Sequence, residues 1–168
     1  MEIENRRHTC AKIILITGGQ RSGKSVYAEQ MALSLSENCQ IDGAKKANPV
    51  YLATARIWDD EFRERVQKHK DRRGPQWSNI EEEKFISRHD VSNRVVLVDC
   101  LTLWATNYFF DAGAGSETGG EEQVPSVENV LEQIKNEFDA LVQQDATFIF
   151  VTNEIGLGGT SANMLQRR

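Results

Sequence analysis

The chain has 168 residues, 39% hydrophobic and 27% charged, the make-up of a globular domain long enough to bury a real core. Its net charge of −5 and pI of about 5.3 disfavour a general nucleic-acid-binding role. No apolar run nears the ~20 residues of a membrane span, Met1–Cys10 has no signal-peptide apolar core, and the scattered Cys10, Cys39 and Cys100 fit neither a disulfide framework nor a zinc site, so a reducing cytoplasm is the expected setting.

Residues 1–10 read as a flexible polar extension, His8 included, and residues 11–168 as one nucleotide-binding domain. Ile13–Thr17 is a short β-branched apolar run, the pattern of a buried parallel strand. Gly18-Gly19-Gln20-Arg21-Ser22-Gly23-Lys24-Ser25 follows and fits the phosphate-binding pattern G-x-x-x-x-G-K-[ST]. Tyr27, Ala28, Met31, Ala32 and Leu35 then recur at helical spacing, so a helix starts at the loop and runs to about Ser36. Glycines let the backbone wrap close to a polyphosphate with N–H groups turned inward, and the helix N-terminus adds partial positive charge. Lys24 is placed to reach the β- and γ-phosphates and the Ser25 hydroxyl to ligate Mg²⁺. Arg21 is either a further cation at the phosphates or a solvated loop charge.

Glu37–Asn48 reads as a surface connection and Pro49–Ala55 as a second strand. Asp59-Asp60-Glu61 opens a helix, acids in its first turn. Phe62, Val66 and His69 fall on one face of it, among Arg65, Lys68, Lys70, Arg72 and Arg73, and Gly74-Pro75 ends it. His69 has two readings. Beside Phe62 and Val66 it is a packed core histidine. Among so many cations it sits in an anion site, where a neutral imidazole serves as nucleophile in nucleotidyl transfer. The acids Glu81-Glu82-Glu83 would ordinarily be a solvated face, which spacing alone does not decide, and His89 reads as a surface residue.

Val95–Asp99 is a third strand ending in an acid, which either coordinates Mg²⁺ or caps the helix that follows. Leu101–Phe110 is apolar, aromatic and expected to be a buried helix. Ala112–Pro125, with four glycines and three glutamates, reads as a mobile loop. Ser126 caps an amphipathic helix whose stripe (Val127, Val130, Leu131, Ile134, Phe138, Leu141, Val142) is core packing. Phe148–Thr152 is a fourth strand, followed by Asn153-Glu154 and a glycine-rich turn to Gly159. Alternating strands and helices imply a mainly parallel α/β sheet of P-loop NTPase (RecA-like) type, with ligands at the carboxyl ends of strands. The phosphate loop, Ala53-Thr54-Ala55, Asp99 and Asn153-Glu154 all fall at such ends.

Taken together, the phosphate loop, Tyr51–Ala55, Asp59–Glu61 with His69 and Arg73, Val98-Asp99-Cys100-Leu101-Thr102-Leu103-Trp104 with Thr106-Asn107, and Val151–Gly156 resemble the bifunctional adenosylcobinamide kinase / adenosylcobinamide-phosphate guanylyltransferase family of cobalamin biosynthesis. The resemblance runs from about Ile13 to the last residue. It implies that GTP or ATP phosphorylates adenosylcobinamide, and that GTP then donates GMP to that phosphate through a covalent histidine intermediate, giving adenosylcobinamide-GDP. The matching histidine is His69. The resemblance puts guanine-nucleotide contacts on Gly18 to Ser25, on Ala53, Thr54 and Ala55, on Lys70, Asp71, Arg72 and Arg73, on Glu81, and on Asp99, with Ser25 and Asp99 toward Mg²⁺. It also implies a homotrimer. Family members continue for a further helix or two and a final strand beyond Met164–Arg168, so a C-terminal portion is expected to be missing here. Two other readings of the residues remain: a single-activity P-loop small-molecule kinase, and a nucleotide-dependent switch or ATPase subunit.

Overall fold

The computed structural model describes residues 12–19, 21–38, 47–57, 60–113 and 126–154. The β-branched runs form strands where expected: β1 (Lys12–Gly18), β2 (Val50–Ala53), β4 (Val95–Asp99) and β5 (Thr147–Asn153). A further strand, β3 (Ser78–Glu81), was not expected. It has one apolar residue, Ile80, and its ladder comes from pairing with β2, not from its own composition. Helices α1 (Lys24–Asn38), α2 (Asp60–Arg72), α3 (Leu101–Asp111) and α4 (Val127–Val142) fill the connections. The expected extension at residues 1–10, the loop from 114 to 125 and the turn to Gly159 lie outside the described residues.

All neighbouring strands pair parallel, in the order β1-β5-β4-β2-β3. The two-residue period of a strand then divides the core into two layers. Val50, Leu52, Val96, Val98, Phe148 and Phe150 face one side, against Trp104 and Tyr108 of α3 and Val130 and Leu141 of α4. Tyr51, Val95, Leu97, Ile149 and Val151 face the other, against Ala28 and Ala32 of α1. The small alanines let α1 lie close to the sheet. The two-sided burial is why these strands read as unbroken apolar runs.

Two expectations need correcting. β1 is an edge strand of the described sheet, with Ile13 51% and Leu15 59% exposed, because only β5 pairs with it. In α4 the stripe is core at Val130, Ile134, Phe138, Leu141 and Val142, whereas Val127 and Leu131 are exposed at its margin. Ser126 does cap α4, its hydroxyl accepting from the Asn129 N–H at 3.2 Å.

Phe150 is the central knob of the α3/α4 layer, 5.2 Å from the Phe138 ring and 5.7 Å from Phe148 between centroids. Phe150→Ala removes that contact and leaves a cavity. A loss of about 3–5 kcal/mol is expected, read as a lower denaturant midpoint at unchanged m-value.

Candidate functional site

The parallel register brings the ends of β1, β2, β4 and β5 to one edge, and hydrogen bonds from the backbone knit that edge together. Gly18 stands opposite Asn153, and Ala53 opposite Asp99. Beyond the last paired residues, the Glu154 N–H donates to the Gly18 carbonyl at 3.0 Å and the Thr54 N–H to the Asp99 carbonyl at 3.2 Å. Asn153 N–H donates to the Thr102 hydroxyl at 3.0 Å.

The phosphate loop turns at this edge. Gly23 takes φ +85° and Arg21 φ 61°, so the chain reverses through left-handed conformations before α1 begins. A Cβ on Gly18 would meet the Ser22 hydroxyl at 2.9 Å, so a larger residue there would make that side chain turn away. Lys24 folds back over the loop, its Nζ donating to the Gly19 carbonyl at 3.2 Å. Ser25 is half-buried in the first turn of α1. A helix N-terminus, a turned backbone and a lysine above it form an anion cradle. Gln20 lies outside the described residues.

Asp99 ends β4 on the face that α1 covers, since residues 95, 97 and 99 alternate to that side. It does not cap α3; the N-cap is Cys100, with no side-chain cap bond. Instead its carboxylate Oδ2 accepts from the Tyr51 hydroxyl at 2.6 Å. Burial first, then the Asp99 charge and hydrogen bond, push the Tyr51 hydroxyl far above its ordinary value, so it stays a donor. The Arg73 guanidinium lies 3.7 Å from the centroid of the Tyr51 ring and donates to Asn79 Oδ1 at 3.0 Å. Burial raises the Cys100 thiol, and hydrogen bonds from the Leu103 and Thr102 backbone offset only part of that rise.

Past β2, Thr54 is fully buried, its hydroxyl donating to the Cys100 carbonyl at 2.8 Å. Asn107 of α3, also buried, donates to the Thr54 carbonyl at 2.8 Å and the Glu83 carbonyl at 2.9 Å. One turn on, Asp111 receives a two-pronged contact from Arg56 at 2.6 and 3.1 Å, and Arg56 also bonds Glu83 at 2.6 Å. The Arg56 hydrogen bond, helped by Lys84, outweighs burial and holds the Asp111 carboxyl down at about 2. Thus α3 is fastened to the segments that follow β2 and β3.

The second group of sequence candidates lies on α2 and β3. Lys70 pairs with Glu81, joining the last turns of α2 to the end of β3. Asp71 accepts from Gln67 one turn earlier at 2.6 Å. His69 and Arg72 belong to α2, but their side chains, like those of Phe62, Arg65 and Lys68, are outside what is described. The acidic run is not one solvated face. Glu81 and Glu83 are exposed and paired, whereas Glu82 is buried and accepts from the Lys84 and Phe85 N–H groups at 3.1 Å. Arg88 pairs with it, and His89, expected at the surface, is half-buried 3.4 Å from it. Burial favours the protonated Glu82, but these hydrogen bonds and Arg88 outweigh it and lower its pKa. Tyr51, Asn107 and Glu82 carry contacts that sequence spacing did not single out. The buried polar identity of Asn107 inside an apolar helix was the one available signal.

Among the described residues no group of three or more His, Cys, Asp or Glu could hold a metal ion. The loop edge offers oxygen donors, the Ser25 hydroxyl and the Asp99 carboxylate. That set fits Mg²⁺, a hard ion that takes its remaining ligands from phosphates and water. An apolar groove of about 300 Å³ between α3 and α4, lined by Leu101, Trp104, Leu131 and Phe138, is on the opposite face of the sheet; its cation, Lys135, pairs with Asp139.

Residues 14–168 match the family described as cobinamide kinase / cobinamide phosphate guanyltransferase. The chain is 32% identical over 160 residues to the bifunctional adenosylcobalamin biosynthesis protein CobU of Escherichia coli, covering 92% of this chain and 82% of that protein. It is 33% identical over 159 residues to the bifunctional adenosylcobalamin biosynthesis protein CobP of Pseudomonas aeruginosa, covering 92% of this chain and 78% of the other. A solved ATPase domain gives a TM-score of 0.42 at 12% identity, covering 83% of this chain and 56% of that one. No helix among the described residues is long and apolar enough to cross a membrane.

Asn107→Ala would leave the Thr54 and Glu83 carbonyls without their buried donor. A stability loss of about 2–4 kcal/mol is expected, with triphosphate affinity also reduced because Ala53–Ala55 loses its anchor. Thermal melting and calorimetry measure the two effects.

Proposed function

The chain belongs to the cobinamide kinase / cobinamide phosphate guanyltransferase family, and from that premise we propose that the edge formed by the ends of β1, β2 and β4 serves both of its reactions. It is a bifunctional enzyme of cobalamin biosynthesis that uses nucleoside triphosphates. The observation that carries the site is the turned loop with Lys24 folded over it, at the same edge of the sheet as a strand-end carboxylate on the α1 face.

In the first reaction the substrate hydroxyl oxygen attacks the γ-phosphorus. The bond to the β-bridging oxygen breaks, and a nucleoside diphosphate leaves as the hydroxyl proton is released. Lys24 and the loop N–H groups hold the β- and γ-phosphates in line. In the second, a ring nitrogen of His69 attacks the α-phosphorus of GTP and pyrophosphate leaves. An oxygen of adenosylcobinamide phosphate then displaces the histidine, breaking the P–N bond and giving adenosylcobinamide-GDP. What supports His69 as the carrier is its place near the end of α2, which Lys70 fastens to Glu81 and Arg73 to the Tyr51–Asp99 pair. Lys70, Asp71, Arg72, Arg73 and Glu81 then line the nucleotide near that histidine. Ser25 and Asp99 would hold Mg²⁺, which when bound neutralises charge on the phosphate oxygens. A homotrimer in the cytoplasm, where nucleoside triphosphates are held, is part of the same proposal.

Lys24→Ala is expected to lower triphosphate affinity at least tenfold by calorimetry. His69→Ala is expected to keep phosphorylating cobinamide while forming no cobinamide-GDP, with products separated by chromatography and weighed by mass spectrometry. Full guanylyl transfer by His69→Ala would overturn the covalent role, and unchanged binding by Lys24→Ala would overturn the loop assignment.

A further inference from the structure

We propose that Tyr51 is a positioning residue: its hydroxyl fixes the Asp99 carboxylate in the rotamer that presents one oxygen to the metal of the bound nucleotide. The inference rests on Asp99 being a metal ligand, as proposed above.

The register explains how a residue 48 positions away reaches Asp99. Tyr51 stands opposite Leu97, and Asp99 is the next residue of β4 on the same face, a diagonal neighbour. A tyrosine is long enough to span that diagonal, and its hydroxyl does so here. The ring is 2% exposed and held from two sides, by Trp77 edge-on at 5.6 Å and by Arg73 across its face at 3.7 Å. Arg73 is itself anchored on Asn79. A donor held this firmly leaves the carboxylate little rotational freedom. The 2.6 Å bond engages Oδ2, and a cation would then take Oδ1. Partners that orient metal ligands in this way are worth about 10–100-fold in metal affinity. They act without touching the ion.

Burial of the ring alone does not require the hydroxyl. A phenylalanine would pack as well against Trp77, Ala28 and Leu97, so the polar atom is there for Asp99.

The test is calorimetric titration of a non-hydrolysable GTP analogue into wild-type protein, Tyr51→Phe and Asp99→Asn, each with Mg²⁺ and with EDTA. Tyr51→Phe deletes one oxygen and keeps the ring, and a thermal melt of each variant checks folding. The expected result is that Tyr51→Phe reduces the Mg²⁺-dependent gain in affinity about tenfold, leaves affinity in EDTA unchanged, and falls short of the full loss in Asp99→Asn. Equal loss with and without Mg²⁺ in Tyr51→Phe would mean a merely structural hydroxyl and would overturn the inference. An unchanged Mg²⁺ gain in Tyr51→Phe, with the gain lost in Asp99→Asn, would overturn it while leaving Asp99 as ligand. A full Mg²⁺ gain in Asp99→Asn would remove the underlying metal assignment.

Discussion

Parallel pairing is the constraint on which the site depends. Because every strand runs the same way, the carboxyl ends of β1, β2, β4 and β5 must emerge together, and residues far apart in the chain become neighbours there. The interiors of β4 and β5 are apolar on both faces, so their chemistry-bearing groups are confined to the ends. Backbone groups beyond the last paired residue still need partners. The chain provides them locally: Glu154 to Gly18, Thr54 to Asp99, Asn153 to the Thr102 hydroxyl. These bonds set where the phosphate loop, the segment after β2 and the β4 carboxylate stand relative to one another.

A second tier of polar contacts stiffens that edge. Asn107 ties two backbone carbonyls to α3, and Arg56 ties the same helix to Glu83 through Asp111. Exposed ion pairs of this kind contribute little stability singly, but here they join three segments that otherwise end freely. On the α1 face the chain of contacts runs Asn79, Arg73, Tyr51, Asp99. It links the end of the helix that carries His69 to the carboxylate at the end of β4.

Much of this was legible in the sequence, for identifiable reasons. Val95–Asp99 and Phe148–Thr152 are buried by neighbours, so their composition announces them; Ile13–Thr17 announces itself by its apolar, β-branched run before the loop motif, although it lies at the sheet edge. β3 was not legible. Ser78-Asn79-Ile80-Glu81 is an edge strand with one apolar side chain, and its ladder comes from β2. The edge exposure of β1 was likewise invisible, since strand order is a long-range property. So were the bond between Tyr51 and Asp99 and the burial of Glu82, because each depends on partners brought in by the fold and not by spacing. Asp99 could be read as cap or ligand, and the contacts decide against the cap.

The claim that this chain passes GMP through a histidine on α2 is tested most directly by labelling. Protein that has been shown to bind GTP is incubated with Mg²⁺ and GTP labelled on the α-phosphate, denatured, and examined for label on the chain. The account predicts an adduct that is acid-labile and alkali-stable, the signature of a phosphoramidate, and that is absent from His69→Ala. A GTP-binding protein that acquires no label, or one whose label persists in His69→Ala, would contradict it.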